Sequence, residues 1–191
     1  MKDKNILHFS DRQEWHEWLQ QNFDTAAEAW LVYPRKSTGK KRIVYNDAVE
    51  EALCFGWIDS INKRLDDDHT MQRFTPRKPG SSFSQPNKER LRWLAEHDLI
   101  HPSVRPLVLP VIQEVFVFPQ DILEALKEDE IVWNHYNSFP EPYQRIRIAY
   151  IHSARKRPEE FAKRLQNFIN KTRENKLIKG FGGIDKYYQK G

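Results

Sequence analysis

The sequence predicts an α+β protein: a small antiparallel or mixed sheet with packed helices, followed by an all-helical C-terminal region. Two observations carry this. Segments with a two-residue apolar period stop near Thr75, and from there to the end helical spacing takes over. A third shows that the chain folds at all: aromatics make up 13% of its 191 residues, with six Trp, whereas disordered chains are poor in aromatics. We read residues 1–98 as the α+β domain and residues 99–191 as the helical region.

Ile6 to Phe9 reads as a short strand. Ser10 with Gln13 makes a capping box, and Trp15, Trp18, Leu19 and Phe23 follow at helical spacing. Ala29 to Tyr33 is the next strand, broken by Pro34 to Lys41 with Gly39 as a turn residue. Asn46 is placed to cap a second helix with the stripe Ala48, Val49, Ala52, Leu53 and Phe55, ended by Gly56. Trp57 to Asn62 and Thr70 to Thr75 read as the arms of a hairpin turning at Asp66, Asp67, Asp68 and His69.

The stretch Pro76 to Gln85 is a loop, and Ser84 caps the helix after it, which runs to about Asp98. Pro102, Pro106 and Pro110 interrupt the stretch after Ile100. Asp121–Lys127 and Ile131–Phe139 are short helical pieces, and Pro140–Arg155 and Pro158–Asn175 form a final pair. The last of these carries the stripe Phe161, Ala162, Leu165, Phe168, Ile169 and Thr172. The tail from Leu177, with Gly180, Gly182 and Gly183, is expected to be mobile at its end.

No run approaches the roughly 20 apolar residues that cross a bilayer, and the start lacks a signal-like apolar core, so a cytoplasmic protein is expected. The single cysteine, Cys54, sits in an apolar stripe and is expected to be a buried, slow-reacting thiol. The net charge of +4 is unevenly spread. Residues 1–34 are acidic, and basic residues gather at Arg35–Arg42, Arg73–Arg92 and Arg155–Lys179. Such stretches attract anions or simply form a solvated face. The basic C-terminal helices leave nucleic-acid binding as a third-ranked reading, since acidic residues interrupt them and no nucleic-acid motif is present.

Two motifs carry a family resemblance. The first is Tyr45–Asn46–Asp47–Ala48–Val49–Glu50–Glu51–Ala52–Leu53–Cys54–Phe55–Gly56–Trp57–Ile58–Asp59–Ser60. The second runs from Arg73 through Thr75–Pro76–Arg77–Lys78–Pro79 to Ser84, followed by Asn87 and Glu89–Arg90. Together with Phe139–Pro140–Glu141–Pro142–Tyr143, Ala154–Arg155 and Lys171, they resemble the YdeI or OmpD-associated family, also called bacteriocin protection. That family carries Trp where Phe83 stands, so here the ring lacks an indole N–H. The resemblance implies a bacterial protein with a YjbR/CyaY-like N-terminal region and a helical C-terminal region. It implies no established reaction, and the protection label names a phenotype.

Catalytic and metal chemistry find little in the sequence. The run Asp66–Asp67–Asp68–His69 offers hard ligands, but calcium loops alternate their carboxylates around a glycine. Neither a G-x-S-x-G elbow nor a phosphate-binding G-x-x-x-x-G-K-[ST] loop occurs, and no cofactor or metal site is expected. The remaining constellation is polar and basic: Trp57, Asp59, Arg73, Arg77, Lys78, Ser82, Ser84 and Asn87, around the hairpin and the loop after it. If the hairpin arms pair, Asp59 and Arg73 lie on neighbouring strands, forming either one wall of a ligand site or an ion pair that locks the hairpin. The leading reading is a non-enzymatic protein that binds a small polar or anionic ligand or a protein partner. The alternative is an enzyme using Asp59 as acid or base.

Overall fold

The computed structural model describes residues 6–180 and 186–187. Its contacts divide the chain into two compact units. One reaches to Phe83 and adds Arg90–Ile112; the other takes Ser84–Glu89 and runs on from Gln113.

The first unit is built on a four-stranded mixed sheet, in keeping with the expected fold class. In chain order its strands are β1 (Ile6–Leu7), β2 (Ala29–Pro34), β3 (Trp57–Arg64) and β4 (His69–Pro76), with spatial order β1-β2-β4-β3. The β1–β2 pair is parallel and the other pairs are antiparallel. Every residue of β2 is buried, consistent with its unbroken apolar run at an interior position of the sheet.

Helices α1 (Arg12–Asn22) and α2 (Tyr45–Cys54) supply the other side of the core. Trp15, Leu19, Ala48, Val49, Ala52 and Leu53 pack with Ala29, Leu31 and Phe74 of the sheet. Trp15 donates its indole N–H to the Ala48 carbonyl at 3.0 Å, and Trp57 donates to the Phe23 carbonyl at 2.9 Å. Both large rings are thereby buried without stranding a donor.

Two caps differ from the sequence reading. Asp11, not Ser10, caps α1 by accepting from the Gln13 and Glu14 amides, while Ser10 bonds the Glu14 carboxylate. A carboxylate competes well with a hydroxyl at this position, and the helix dipole favours the charge. Helix α2 begins one residue before Asn46, after Val44, which offers no side-chain cap. Asn46 lies within the helix, where its amide donates to Glu50 at 2.7 Å and its oxygen accepts from Arg90 at 2.9 Å. A buried polar network has taken the residue that would otherwise cap.

Helix α3 (Gln85–Glu96) contains the division between the units. Helix α4 (Arg105–Gln113) follows in the first unit, with Pro110 inside it and Val108 in the core. The second unit packs α5 (Gln120–Lys127), α6 (Glu130–Ser138), α7 (Glu141–His152) and α8 (Pro158–Arg173) around Ile122, Leu126, Val132, Tyr143, Ile148 and Phe168. Of the stripe expected on α8, Phe168 and Thr172 are fully buried and Ala162 faces outward. The buried Glu89 accepts from Arg145 at 2.8 and 2.7 Å, a bidentate pair within this unit. The expected mobility of the tail concerns residues that lie outside the described ones for the most part.

Candidate functional site

The residues singled out around the hairpin have separate partners. Asp59 stands opposite Phe74, so Arg73, one residue along β4, points to the other face of the sheet. There it pairs with Glu28 at 2.6 Å, which also accepts from the Trp30 indole at 3.0 Å. An ion pair does lock Arg73, but with Glu28 and not with Asp59. Trp57 is 1% exposed and belongs to the core, so it walls no site.

The loop after β4 is closed on itself. Arg77 donates to the carbonyls of Ser81 and Ser82, at 3.3 and 2.7 Å, and stacks on the Phe83 ring with its guanidinium carbon 3.6 Å from the centroid. The Ser81 hydroxyl donates to the Lys78 carbonyl at 2.7 Å, and Lys78 itself is exposed. Ser84 and Asn87 belong to the second unit. The structure thus gathers Arg77, Ser82 and Phe83 into one cluster and places Asp59 elsewhere.

Asp59 instead bonds Tyr45 and Gln72, which line a cleft of about 590 Å³ in the first unit. The cleft is lined by Tyr33 of β2, Arg42, Ile43 and Val44 of the connection, Tyr45 at the start of α2, and Asn62, Thr70 and Gln72 of the hairpin. Its volume falls in the range of small-molecule sites, roughly 300–1,000 Å³. Cross-strand pairing explains the grouping. Tyr33 stands opposite Thr70, and Asn62 stands opposite Gln72, with all four side chains on one face.

A bulge completes the set. Asp59 and Asn62 are three apart and on a regular strand would point to opposite faces. The register shifts between them, so Asp59 pairs with Phe74 while Asn62 pairs with Gln72, and both reach the same face. Asp59 Oδ2 accepts from the Tyr45 hydroxyl at 2.6 Å and from the Gln72 amide at 3.4 Å. Gln72 Oε1 accepts from the Asn62 amide at 3.0 Å. The chain Tyr45–Asp59–Gln72–Asn62 fixes one wall.

Two groups in the cleft are less fully engaged. Tyr33 is 6% exposed, and its hydroxyl is sealed from solvent with no hydrogen-bond partner among the described residues. An unmade bond to a buried hydroxyl costs about 1–3 kcal/mol. Arg42 donates once, to the Pro34 carbonyl at 2.9 Å, and among the described residues no carboxylate lies within ion-pair distance of it. Burial pushes the Tyr33 phenol well above the usual tyrosine range; Tyr45 and Asp59 act the same way, and Arg42 pulls against them. Tyr45 is raised by burial and then by its bond to Asp59. Both phenols are therefore donors at neutral pH.

None of the site residues expected from sequence lines this cleft; Asp59 borders it by bonding two lining residues, Tyr45 and Gln72. Tyr33, Arg42, Tyr45, Asn62, Thr70 and Gln72 are not among those expected. The available signal is the polar pair Thr70 and Gln72 alternating with Met71 in a strand, with Gln72 buried at 5% exposure. A buried polar residue at a core-facing register is informative where an exposed one is not.

Other clusters are accounted for internally. The Cys54 thiol is buried and burial pushes it well above its ordinary range, as its apolar stripe implies. His69 Nδ1 bonds Asp66 at 2.8 Å within the turn, and among the described residues no cluster of three or more His, Cys, Asp or Glu is disposed to hold a metal ion. The basic C-terminal helices are largely paired: Arg155 with Asp121, Arg164 with Glu160, Arg173 with Asp129 and Lys171 with Glu174. That pairing lends no support to a nucleic-acid surface. Among the described residues no helix is long and apolar enough to cross a membrane.

Two family models match the chain. Residues 7–106 match one described as "Domain of unknown function (DUF8412)", and residues 115–175 match one described as "Bacteriocin-protection, YdeI or OmpD-Associated". The bacteriocin-protection match therefore falls on the helical stretch, while the two central motifs lie in the other match. Neither description supports a YjbR/CyaY-like N-terminal region. No curated protein and no solved structure matches the chain.

Proposed function

We propose a function from geometry, because the chain belongs to the DUF8412 family over more than half its length and that description carries no activity. The protein is a non-enzymatic binder of a small polar or anionic molecule, held in the cleft between Tyr33, Arg42 and Asn62. One observation carries this: the Tyr33 hydroxyl is buried at the cleft and unpartnered among the described residues. Native proteins seldom leave such a group unsatisfied without a reason. A ligand that shifts Arg42 or Tyr45 aside and bonds the hydroxyl would relieve the cost.

Asp59 also sustains the enzyme reading, since it carries a 2.6 Å bond to a phenol beside an open cleft. The binding reading is favoured because both protons facing Asp59 Oδ2 come from the protein's own Tyr45 and Gln72, leaving that oxygen a structural task. The protection label attached to residues 115–175 fits a binder as well as an enzyme.

The test is a thermal-shift screen of small polar metabolites on wild type and Tyr33→Phe. A ligand bound to the native state raises the melting temperature. The reading requires hits whose shift is lost or reduced in Tyr33→Phe. Hits that persist unchanged in Tyr33→Phe place the ligand elsewhere, and turnover of a hit that Asp59→Asn abolishes would favour the enzyme.

A further inference from the structure

We infer that the occupant of this cleft is a small monocarboxylate, its carboxylate held between the Arg42 guanidinium and the Tyr33 hydroxyl and its remaining polar groups turned to Asn62 and Thr70. The inference rests on the cleft being the functional site and names what it takes.

The charges make the selection. Arginine presents five N–H donors in a fixed fork that matches a carboxylate. Arg42 uses one of them on Pro34, and among the described residues it has no carboxylate partner. The neighbouring acid does not fill that role, because Asp59 Oδ2 already receives Tyr45 and Gln72. A second acceptor-seeking feature borders the site. Helix α2 starts at Tyr45 behind Val44, so its first-turn amides have no side-chain cap. Uncapped N-terminal amides favour a negative group nearby.

The same inventory limits the anion to one charge. Among the described residues the lining contains one cation, Arg42, and Asp59 stands beside it through its bond to Tyr45. A phosphate dianion would meet one guanidinium and the Asp59 carboxylate; a monocarboxylate balances the guanidinium alone. The rest of the lining is mixed. Ile43 and Val44 offer apolar contact, while Asn62 keeps its amide oxygen and Thr70 its hydroxyl for a polar substituent. Neutral ligands would leave Arg42 unmatched.

The experiment is an NMR titration that follows the side-chain amides of Asn62 and Gln72. The probes are benzoate, hexanoate and N-acetylglycinate, each compared with its primary amide and with a phosphate monoester on the same skeleton. The expected result is that carboxylates shift both amides and the matched amides and phosphates do so at least tenfold more weakly. Arg42→Gln should lower carboxylate affinity by roughly tenfold or more, the usual scale for losing a charged hydrogen-bond donor. Carboxylate and amide binding with equal affinity, or tighter phosphate binding, overturns the carboxylate assignment and leaves the cleft standing. If no probe of any class moves the two amides, the cleft reading and this inference fall together.

Discussion

The loop Pro76–Ser84 and the cleft around Tyr33 hold the same kinds of groups: an arginine, an aromatic ring, hydroxyls and amides. They differ in what those groups already bond. Arg77 is satisfied by two carbonyls of its own loop and stacked on Phe83, so a ligand there would have to break as much as it makes. Arg42 has one carbonyl, and Tyr33 has no partner among the described residues. Composition makes the two regions look equal. The state of their hydrogen bonds separates them, because net stabilisation comes from groups whose bonding changes on binding.

The largest expected effect breaks or confirms this contrast directly. Arg42→Gln should weaken binding of a cleft carboxylate by roughly tenfold or more, whereas Arg77→Gln should leave it unchanged. Calorimetry on the two variants and wild type decides. Equal losses would mean that the loop takes part in binding despite its internal bonds.

A second comparison sets Tyr33 against the core. Replacing a buried, bonded polar group normally destabilises, but Tyr33→Phe removes a hydroxyl whose bond is unmade. The folded protein without ligand should be unchanged or more stable by about 1 kcal/mol, while affinity for a cleft ligand falls severalfold. Denaturant unfolding and the same titration read the two signs. A loss of stability would show that the hydroxyl has a partner in solution and would remove the main support for the site.

The contrast also explains how much the sequence could reveal. The hairpin is legible because Trp57–Asn62 and Thr70–Thr75 alternate around an aspartate-rich turn, and that pattern fixes pairing. Helices α6 to α8 are legible because prolines and acidic residues mark their starts. The site is not, for two physical reasons. The bulge between Asp59 and Asn62 changes which residues share a face, and a one-residue slip reverses every side chain. Arg42 closes a basic stretch, Arg35–Arg42, that resembles any solvated face until Pro34 and Tyr33 are placed beside it. Asn46 shows the same limit for local signals: it is a good capping residue in sequence, yet it serves Glu50 and Arg90 in the core.

Alkaline pH probes the cleft phenols together with Tyr136 and Tyr143 of the second unit, which burial also raises. Burial raises Tyr33 and Tyr45 above the unfolded value of about 10, so the folded state prefers the neutral phenols. Their contribution to stability is therefore fully present below about pH 10 and is lost as pH rises through the folded values. Stability should decline above about pH 10, and phenolate absorbance should rise in a late step. Asp59→Asn removes a carboxylate that raises Tyr33 and Tyr45 but not Tyr136 or Tyr143, so only the cleft's share of this late step should move to lower pH. A titration curve indifferent to Asp59→Asn would contradict the Tyr45–Asp59 bond.

The smallest expected effect concerns the opposite face of the sheet. Arg73 and Glu28 form an ion pair at 2.6 Å, with side chains 33% and 27% exposed. Water and salt reach such a pair, and pairs of this kind contribute about 0–1 kcal/mol. Arg73→Ala should therefore destabilise by less than about 1 kcal/mol, and less still at high salt. Glu28 also accepts from the buried Trp30 indole, so Glu28→Ala should cost more than Arg73→Ala by taking away that donor's acceptor. Neither change alters the cleft, because β4 turns Arg73 away from Asp59. Urea unfolding at low and high salt measures the stability terms, and the amides of Asn62 and Gln72 report on the cleft in the same samples. A shift of those amides in Arg73→Ala would show that the two faces communicate through β4. The cleft could then no longer be treated as independent of the charge behind it.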